Sequence, residues 1–250
     1  PEVASDGLYR TEIGADTTAS LAQLRWDELF TDPQLQTLVR EGLEANTDLR
    51  IARLKVEEAQ ASLRTARLAY LPSVQADASG TLSGFDGGAA TKTYSLGGSA
   101  SWEIDIFGKL TNAKRGAAAA LEESEAYRQA VRTQLIATVA GSYYTLLLLD
   151  GQRTVTEETL GSWDEYIRTL RGLMRAGEAD RATVEQAEAG RLAVQNSLHD
   201  ILRQISETEN SLSALLGRMP GSIERGTLDG SGFPQELSVG VPLELLTARP

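Results

Sequence analysis

The 250-residue chain has no cysteine, which excludes disulfides, thiol chemistry and thiolate metal sites and is compatible with any compartment. It has one histidine, His199, so His and Cys cannot complete a zinc site. A lone histidine beside Leu198 on a helix is ordinarily a surface or packing residue. Aromatic residues are scarce, at 6%. No run of 18 apolar residues occurs, and "LLLL" (Leu146 to Leu149) stands between Tyr144 and Asp150. No transmembrane helix is expected, and any membrane span would have to be β. Positive charge is in deficit: the formal net charge of −11 argues against nucleic acid and against anionic membrane surfaces as partners. The opening "PEVASDGLYR" lacks a charged n-region and an apolar h-region, so an export signal is expected to have been removed.

Catalytic constellations are also missing. Glu122, Glu123, Glu125, Glu157 and Glu158 lie among Lys and Arg on helical stretches, the pattern of a solvated face. The glycines of "GFDGGAA" and "LGGS" are not followed by GK[ST], so they form no phosphate loop. No enzyme activity, cofactor or bound metal is expected.

What is present is ordinary in amount, 41% apolar and 24% charged, but unusual in arrangement. Tyr94, Leu96, Gly98, Ala100, Trp102, Ile104 and Ile106 alternate with Thr93, Ser95, Gly97, Ser99, Ser101, Glu103 and Asp105. Upstream, Val74, Ala76, Ala78, Gly80 and Leu82 alternate with Gln75, Asp77, Ser79 and Thr81, and "GFDGGAA" supplies turn residues between the two runs. This pattern predicts a β-hairpin with one apolar face. Such a hairpin suits a soluble core; it also suits a membrane barrel, whose strands need about 9 to 11 residues and interfacial aromatics.

Elsewhere the pattern is helical. Leu49, Ala52, Val56, Ala59, Leu63, Ala66 and Tyr70 follow at steps of three and four until Pro72, which stops the helix. After the second strand a proline-free stretch leads to Leu160, Trp163, Ile167, Leu170 and Met174. Beyond "RAGEADRAT", Val184, Ala187, Arg191, Val194, Leu198, Ile201, Ile205, Thr208, Leu212 and Leu215 keep the same steps. Spacing held this long predicts coiled-coil helices, and Ala113 to Met174 would span roughly 90 Å at about 1.5 Å per residue. Leu135 to Leu149 is apolar nearly all round, which predicts contact on both flanks. The fold class expected is mainly α with a β-hairpin, the strands joined end to end with a long antiparallel helical hairpin that turns near Ala176 to Ala182.

The order and wording of several segments resemble the TolC-like outer-membrane factor family, in particular its NodT-like lipoprotein branch serving resistance-nodulation-division (RND) pumps. The matching stretches are "DPQLQTLVREGLEANTDLRIARLKVEEAQASLRTARLAYLPSV" (Asp32 to Val74), "SWEIDIFGKL" (Ser101 to Leu110), "GEADRATVEQAEA" (Gly177 to Ala189), "LSALLGRMPGS" (Leu212 to Ser222) and "VGVPLELLTARP" (Val239 to Pro250). The resemblance implies the first of two similar repeats, with three chains closing a barrel continuous with a helical tunnel. It divides the chain into an N-terminal extended segment (1–33), a periplasmic helix (34–72), a barrel hairpin (73–107), a helical hairpin (108–216) with its tip at 175–183, and an equatorial-type linker (217–250) leading to a second repeat. It implies an outer-membrane channel of a Gram-negative bacterium, with the helices in the periplasm, that passively conducts small toxic molecules in multidrug resistance. The partners implied are two further copies in a homotrimer, a periplasmic adaptor (membrane fusion) protein, an inner-membrane RND pump and outer-membrane lipid. Other readings are a periplasmic adaptor, a structural coiled-coil protein or a type I secretion duct. An adaptor should flank its hairpin with two β-rich half-motifs, and none is visible around residues 110 to 215.

The resemblance also marks sites. Tyr94, Leu96, Trp102 and Ile104 would face lipid. Asp105 and Gly108 would form the strand-to-helix junction, Asp105 as a partner of the helix N-terminus and Gly108 allowing the chain to change direction. At the tip, Arg175, Gly177, Glu178, Asp180, Arg181 and Thr183 would meet the adaptor and narrow the tunnel. Gly177 is suited to a left-handed cap, and Thr183 with Gln186 has capping-box spacing. A threefold ring would gather the charges of Glu178 and Asp180, with Arg175, Arg181 or bound cations offsetting their repulsion. Thr183 departs from the family, whose members often carry an acidic residue there.

Overall fold

The computed structural model describes residues 25–84 and 91–228. Most of the N-terminal extended segment, nearly all of "GFDGGAA" and the end of the linker, including "VGVPLELLTARP", lie outside the described residues. The elements in chain order are α1 (Trp26–Leu29), α2 (Pro33–Ala45), α3 (Thr47–Leu68), β1 (Ser73–Ser83), β2 (Thr91–Ser101), α4 (Lys109–Ala176) and α5 (Arg181–Leu215). They divide into two compact units. One comprises the residues up to Arg50 and from Gln129 onward; the other is Ile51–Arg128.

In the first unit, α2 begins because Pro33 occupies the first helical position and the Asp32 carboxylate accepts from the Gln34 N–H at 2.8 Å, the usual chemistry of a capped start. The single helix expected over 34–72 is two helices. Asn46 takes an extended backbone between them, φ −62° and ψ 129°. Its Oδ1 caps α3 by accepting from Leu49 N–H at 3.0 Å, and its Nδ2 donates to the Leu215 carbonyl at 2.9 Å. A buried amide satisfied on both ends holds the break. Residues 1–33 are likewise not wholly extended, since α1 is a helical turn whose Trp26, with Phe30 beyond it, packs on the core.

That core gathers Leu35, Leu38 and Val39 of α2, Val139, Tyr143, Leu146 and Leu147 of α4, and Ile205 and Leu212 of α5. The apolar stretch of α4 is buried on one broad side while Leu148 stays exposed, so described residues cover one flank. Every position of the third heptad series, Val184 to Leu215, is buried or half-buried. A second cluster nearer the turn joins Ile167, Leu170 and Met174 of α4 to Val184 and Ala187 of α5. Cross-helix ion pairs Arg171 to Glu188 (2.7 Å) and Arg191 to Asp164 (2.5 Å) have the antiparallel register of a hairpin.

In the second unit, β1 and β2 pair antiparallel from Ser73↔Ser101 to Ser83↔Thr91. The alternation expected as far as Ile106 outruns the ladder, which stops at Ser101. Continued pairing would set Trp102 against Pro72, which has no N–H to donate. Trp102 instead donates its indole N–H to the Tyr70 carbonyl at 3.1 Å, and Ile106 and Phe107 form a turn. Among the described residues, no helix is long and apolar enough to cross a membrane.

Candidate functional site: the helical tip and the strand-to-helix junction

The tip is built by two capping devices. Gly177 adopts φ +81°, the left-handed conformation that closes a helix C-terminus at little cost only for glycine. Its N–H donates to the Met174 carbonyl at 3.1 Å and Glu178 N–H to the Leu173 carbonyl at 2.9 Å, so two carbonyls left over at the end of α4 find donors. The returning helix is capped by Asp180, whose carboxylate accepts from Thr183 N–H at 2.8 Å and from the Thr183 hydroxyl. The cap expected of Thr183 with Gln186 is therefore replaced: Asp180 has the extended backbone of a cap, φ −92° and ψ 164°, and Thr183 is the donor. That hydroxyl, with the backbone bond, holds the Asp180 carboxyl below its ordinary range. Arg181 pairs with Glu185 one turn on at 2.7 Å, and Arg175 donates to the Arg171 carbonyl at 3.3 Å. The Glu178 side chain is exposed and makes no bond among the described residues. Thus Gly177, Asp180 and Thr183 are engaged in capping, the two arginines bond to their own helices, and neither arginine touches the Glu178 or Asp180 carboxylates.

Behind the tip, Gly190 lets α5 approach the indole of Trp163. A Cβ added there would lie 2.8 Å from Trp163 Cη2, closer than van der Waals contact permits.

Further along the same unit is a polar cluster that sequence reasoning missed. Arg225 forks onto Asp150, with Nε on Oδ2 and Nη2 on Oδ1 (3.1 Å), and its Nη1 reaches Glu209 Oε1 at 2.5 Å and the Ile223 carbonyl at 3.0 Å. This fork-on-carboxylate geometry is the strong form of the pair. Arg225 holds Asp150 below the ordinary carboxylate range, and the bond to Asp150 raises the guanidinium in turn. Alongside, Tyr143 donates to Asp32 Oδ2 at 2.5 Å and accepts from Gly226 N–H at 3.2 Å. Burial and the Asp32 carboxylate push its phenol up to about 12. The cluster fastens the segment after α5 to α4, α5 and the start of α2. Nothing local signals it, because Asp150 and Glu209 look like solvated charges on periodic helices and Arg225 lies in the segment beyond them.

At the junction in the second unit, Asp105 acts as expected. Its carboxylate accepts from Leu110 N–H (2.9 Å), Thr111 N–H (2.8 Å) and the Thr111 hydroxyl (2.6 Å), closing the first turn of α4. Gly108 has φ +75°. The hairpin above it is exposed on both faces along its whole length, yet the faces differ. One carries Val74, Ala78, Leu82, Tyr94, Leu96 and Ala100; the other is hydroxyl-rich, with Ser73 on Ser101 at 2.8 Å and Ser79 on Ser95 at 2.7 Å. Tyr94, Leu96, Trp102 and Ile104 are all well exposed, Leu96 at 85%. A side chain as apolar as Leu96, left in water, is an unmet need for a partner surface.

Residues 38–218 match the model of the outer membrane efflux protein family. The chain belongs to that family. Outer membrane efflux proteins related to it include the cation efflux system protein CusC of Escherichia coli, 30% identical over 231 residues, 90% of this chain and 50% of CusC. The toluene efflux pump outer membrane protein TtgC of Pseudomonas putida is 30% identical over 252 residues, 97% of this chain and 51% of TtgC. The crystal structure of the open state of the Neisseria gonorrhoeae MtrE outer membrane channel is 27% identical, with a TM-score of 0.75, over 96% of this chain and 56% of that one. The chain spans about half the length of the curated relatives it matches. Its fold is that of an outer-membrane efflux channel half, a family of channels rather than of enzymes.

Proposed function

We propose that this chain is one repeat of an outer-membrane channel that passively conducts small toxic molecules from periplasm to exterior as part of a tripartite efflux system. The observation that carries this is the hairpin. It sets an apolar face against a hydroxyl face, buries neither, and is joined through Asp105 and Gly108 to a 68-residue helix. An apolar face that wide is satisfied by lipid once the strands are completed into a barrel by the second repeat and two further copies, leaving the hydroxyl face to water in the lumen. The adaptor reading lacks support, because among the described residues the strands precede the helical hairpin and do not flank it.

In this reading the proposed division is a periplasmic helical part, the barrel hairpin, the long hairpin with its tip and the linker to the second repeat. The tip faces the periplasm and meets the helical hairpin of a membrane fusion protein bound to an RND-type pump, and substrate selection belongs to that pump. Glu178 is the tip carboxylate left unpaired, and together with Asp180 it would line the constriction of a threefold ring. The test is conductance of the intact trimer in planar bilayers, with and without Glu178→Gln and Asp180→Asn. Channel conductance with an altered cation preference in the variants is expected. No conductance, or a substrate profile in cells that follows this protein when pumps are exchanged, would overturn the reading.

A further inference from the structure

The acidic charge of the chain hides a local excess of the opposite sign. From Ala59 to Ala76 and again from Ile106 to Leu121 there is no Asp or Glu, while the two stretches carry Arg64, Arg67, Lys109, Lys114 and Arg115. The first leads into β1 and the second leads away from β2, so the cations collect at the root of the hairpin. Lys109 is paired with Glu103 at 2.7 Å. Lys114 and Arg115 have no ion pair among the described residues and line, with Tyr70, Thr111 and Ala118, an open groove of about 490 Å³.

The groove is built rather than incidental. Thr111, Lys114, Arg115 and Ala118 share one face of α4 by their spacing, and Tyr70 closes the other side. The Tyr70 hydroxyl donates to Thr111 Oγ1 at 3.1 Å, Thr111 donates to Asp105 at 2.6 Å, and the Lys114 ammonium sits 6.0 Å from the Tyr70 ring centroid. The hydrogen-bond chain is complete, so the hydroxyls fix the wall, and the Asp105 charge is taken up behind it by Leu110 and Thr111. Lys114 and Arg115 are the free donors. Around them Leu71, Trp102 and Phe107 are exposed, Phe107 at 95%, and Trp102 is tied to the Tyr70 carbonyl. Exposed Trp and Tyr next to basic residues, where an apolar surface ends, is the composition of a membrane–water interface.

We propose that this groove binds the headgroup phosphate of an anionic phospholipid, with Lys114 and Arg115 as its cations. A free phosphate would use the same two cations but none of the apolar surface beside them, and two exposed cations hold a small ion weakly in water. A lipid uses both. The inference rests on the proposed membrane placement of the hairpin and adds a specific ligand to it.

Trp102 reports on both. The intact protein is reconstituted in vesicles of phosphatidylethanolamine with brominated phosphatidylglycerol or brominated phosphatidylethanolamine titrated in, and a Trp102→Phe protein supplies the background from every other tryptophan, Trp26 and Trp163 included. Quenching of Trp102 by both lipids, with phosphatidylglycerol preferred, is expected. Each cation at an anionic surface is worth about fivefold in partitioning. Lys114→Gln with Arg115→Gln should therefore lower the preference roughly 25-fold at low salt, and the charge-keeping pair Lys114→Arg with Arg115→Lys should retain it. Quenching without headgroup preference, or a preference abolished by inorganic phosphate in the buffer, overturns the lipid site and leaves the membrane placement standing. Absence of quenching by either lipid overturns both.

Discussion

Leu146 and Leu96 are the same residue in equally regular patterns, and they meet opposite fates. Leu146, on α4, is fully buried among α2, α4 and α5, while Leu96, on β2, is 85% exposed. The helical unit satisfies its apolar face within the chain. The hairpin has the same need and nothing among the described residues to meet it. Periodicity specifies which side of an element is apolar; it does not specify what covers that side.

The strongest test of this contrast is Leu146→Ala, which removes a fully buried side chain and should cost about 3 kcal/mol in urea unfolding followed by helical circular dichroism. Arg225→Met should cost somewhat less, about 2 to 3 kcal/mol, because it strands Asp150 and Glu209 together in a half-buried site. Adding Asp150→Asn and Glu209→Gln should restore much of that loss. The pair also sets an acid limb. Asp150 is lowered in the fold, so its stabilisation is present above its ordinary value of 3.8 and is lost as pH falls through the lower folded value. Arg225→Met should flatten that limb.

A smaller effect appears in alkali. Tyr143 ionises at about 12 in the fold against 10.0 ordinarily, so the unfolded chain loses its proton first and stability should fall as pH rises from about 10 toward about 12. Tyr143→Phe, compared with the parent over that range, should remove this part of the slope. Gly177→Ala places a Cβ at φ +81° and should cost about 1 kcal/mol, with Asn there costing less. The smallest change expected is for Leu96→Ala, within about 0.5 kcal/mol of zero for the helical unfolding. A loss comparable to that of Leu146→Ala would mean that protein covers the hairpin face, and the contrast would collapse.

The parts legible in the sequence are those written as local repetition. Val74 to Leu82 and Tyr94 to Ala100 announce a paired ladder, Val184 to Leu215 a helix seam, and Gly177 a left-handed cap. What escaped depends on partners far apart in the chain. Asn46 interrupts the single helix expected over 34–72, and although Asn is a common capping residue, its other bond goes to Leu215. Asp150, Glu209 and Arg225 become a cluster only once α4, α5 and the following segment are packed. The Thr183 cap misled because Asp180 and Thr183 are both capping residues three apart, and backbone geometry alone chooses between them. Net charge, being an average over the chain, does not display the local run of basic residues at the root of the hairpin.

The notch at Gly190 turns the helical hairpin into a keyed shaft. Sliding α5 along α4 would carry the Gly190 gap off the Trp163 indole and would pull Arg171 and Arg191 away from Glu188 and Asp164. Axial slip between the two helices is thereby opposed by the ring and by both ion pairs. Force applied at the turn is then carried along both helices together, as torque on a rod and not as shear between two.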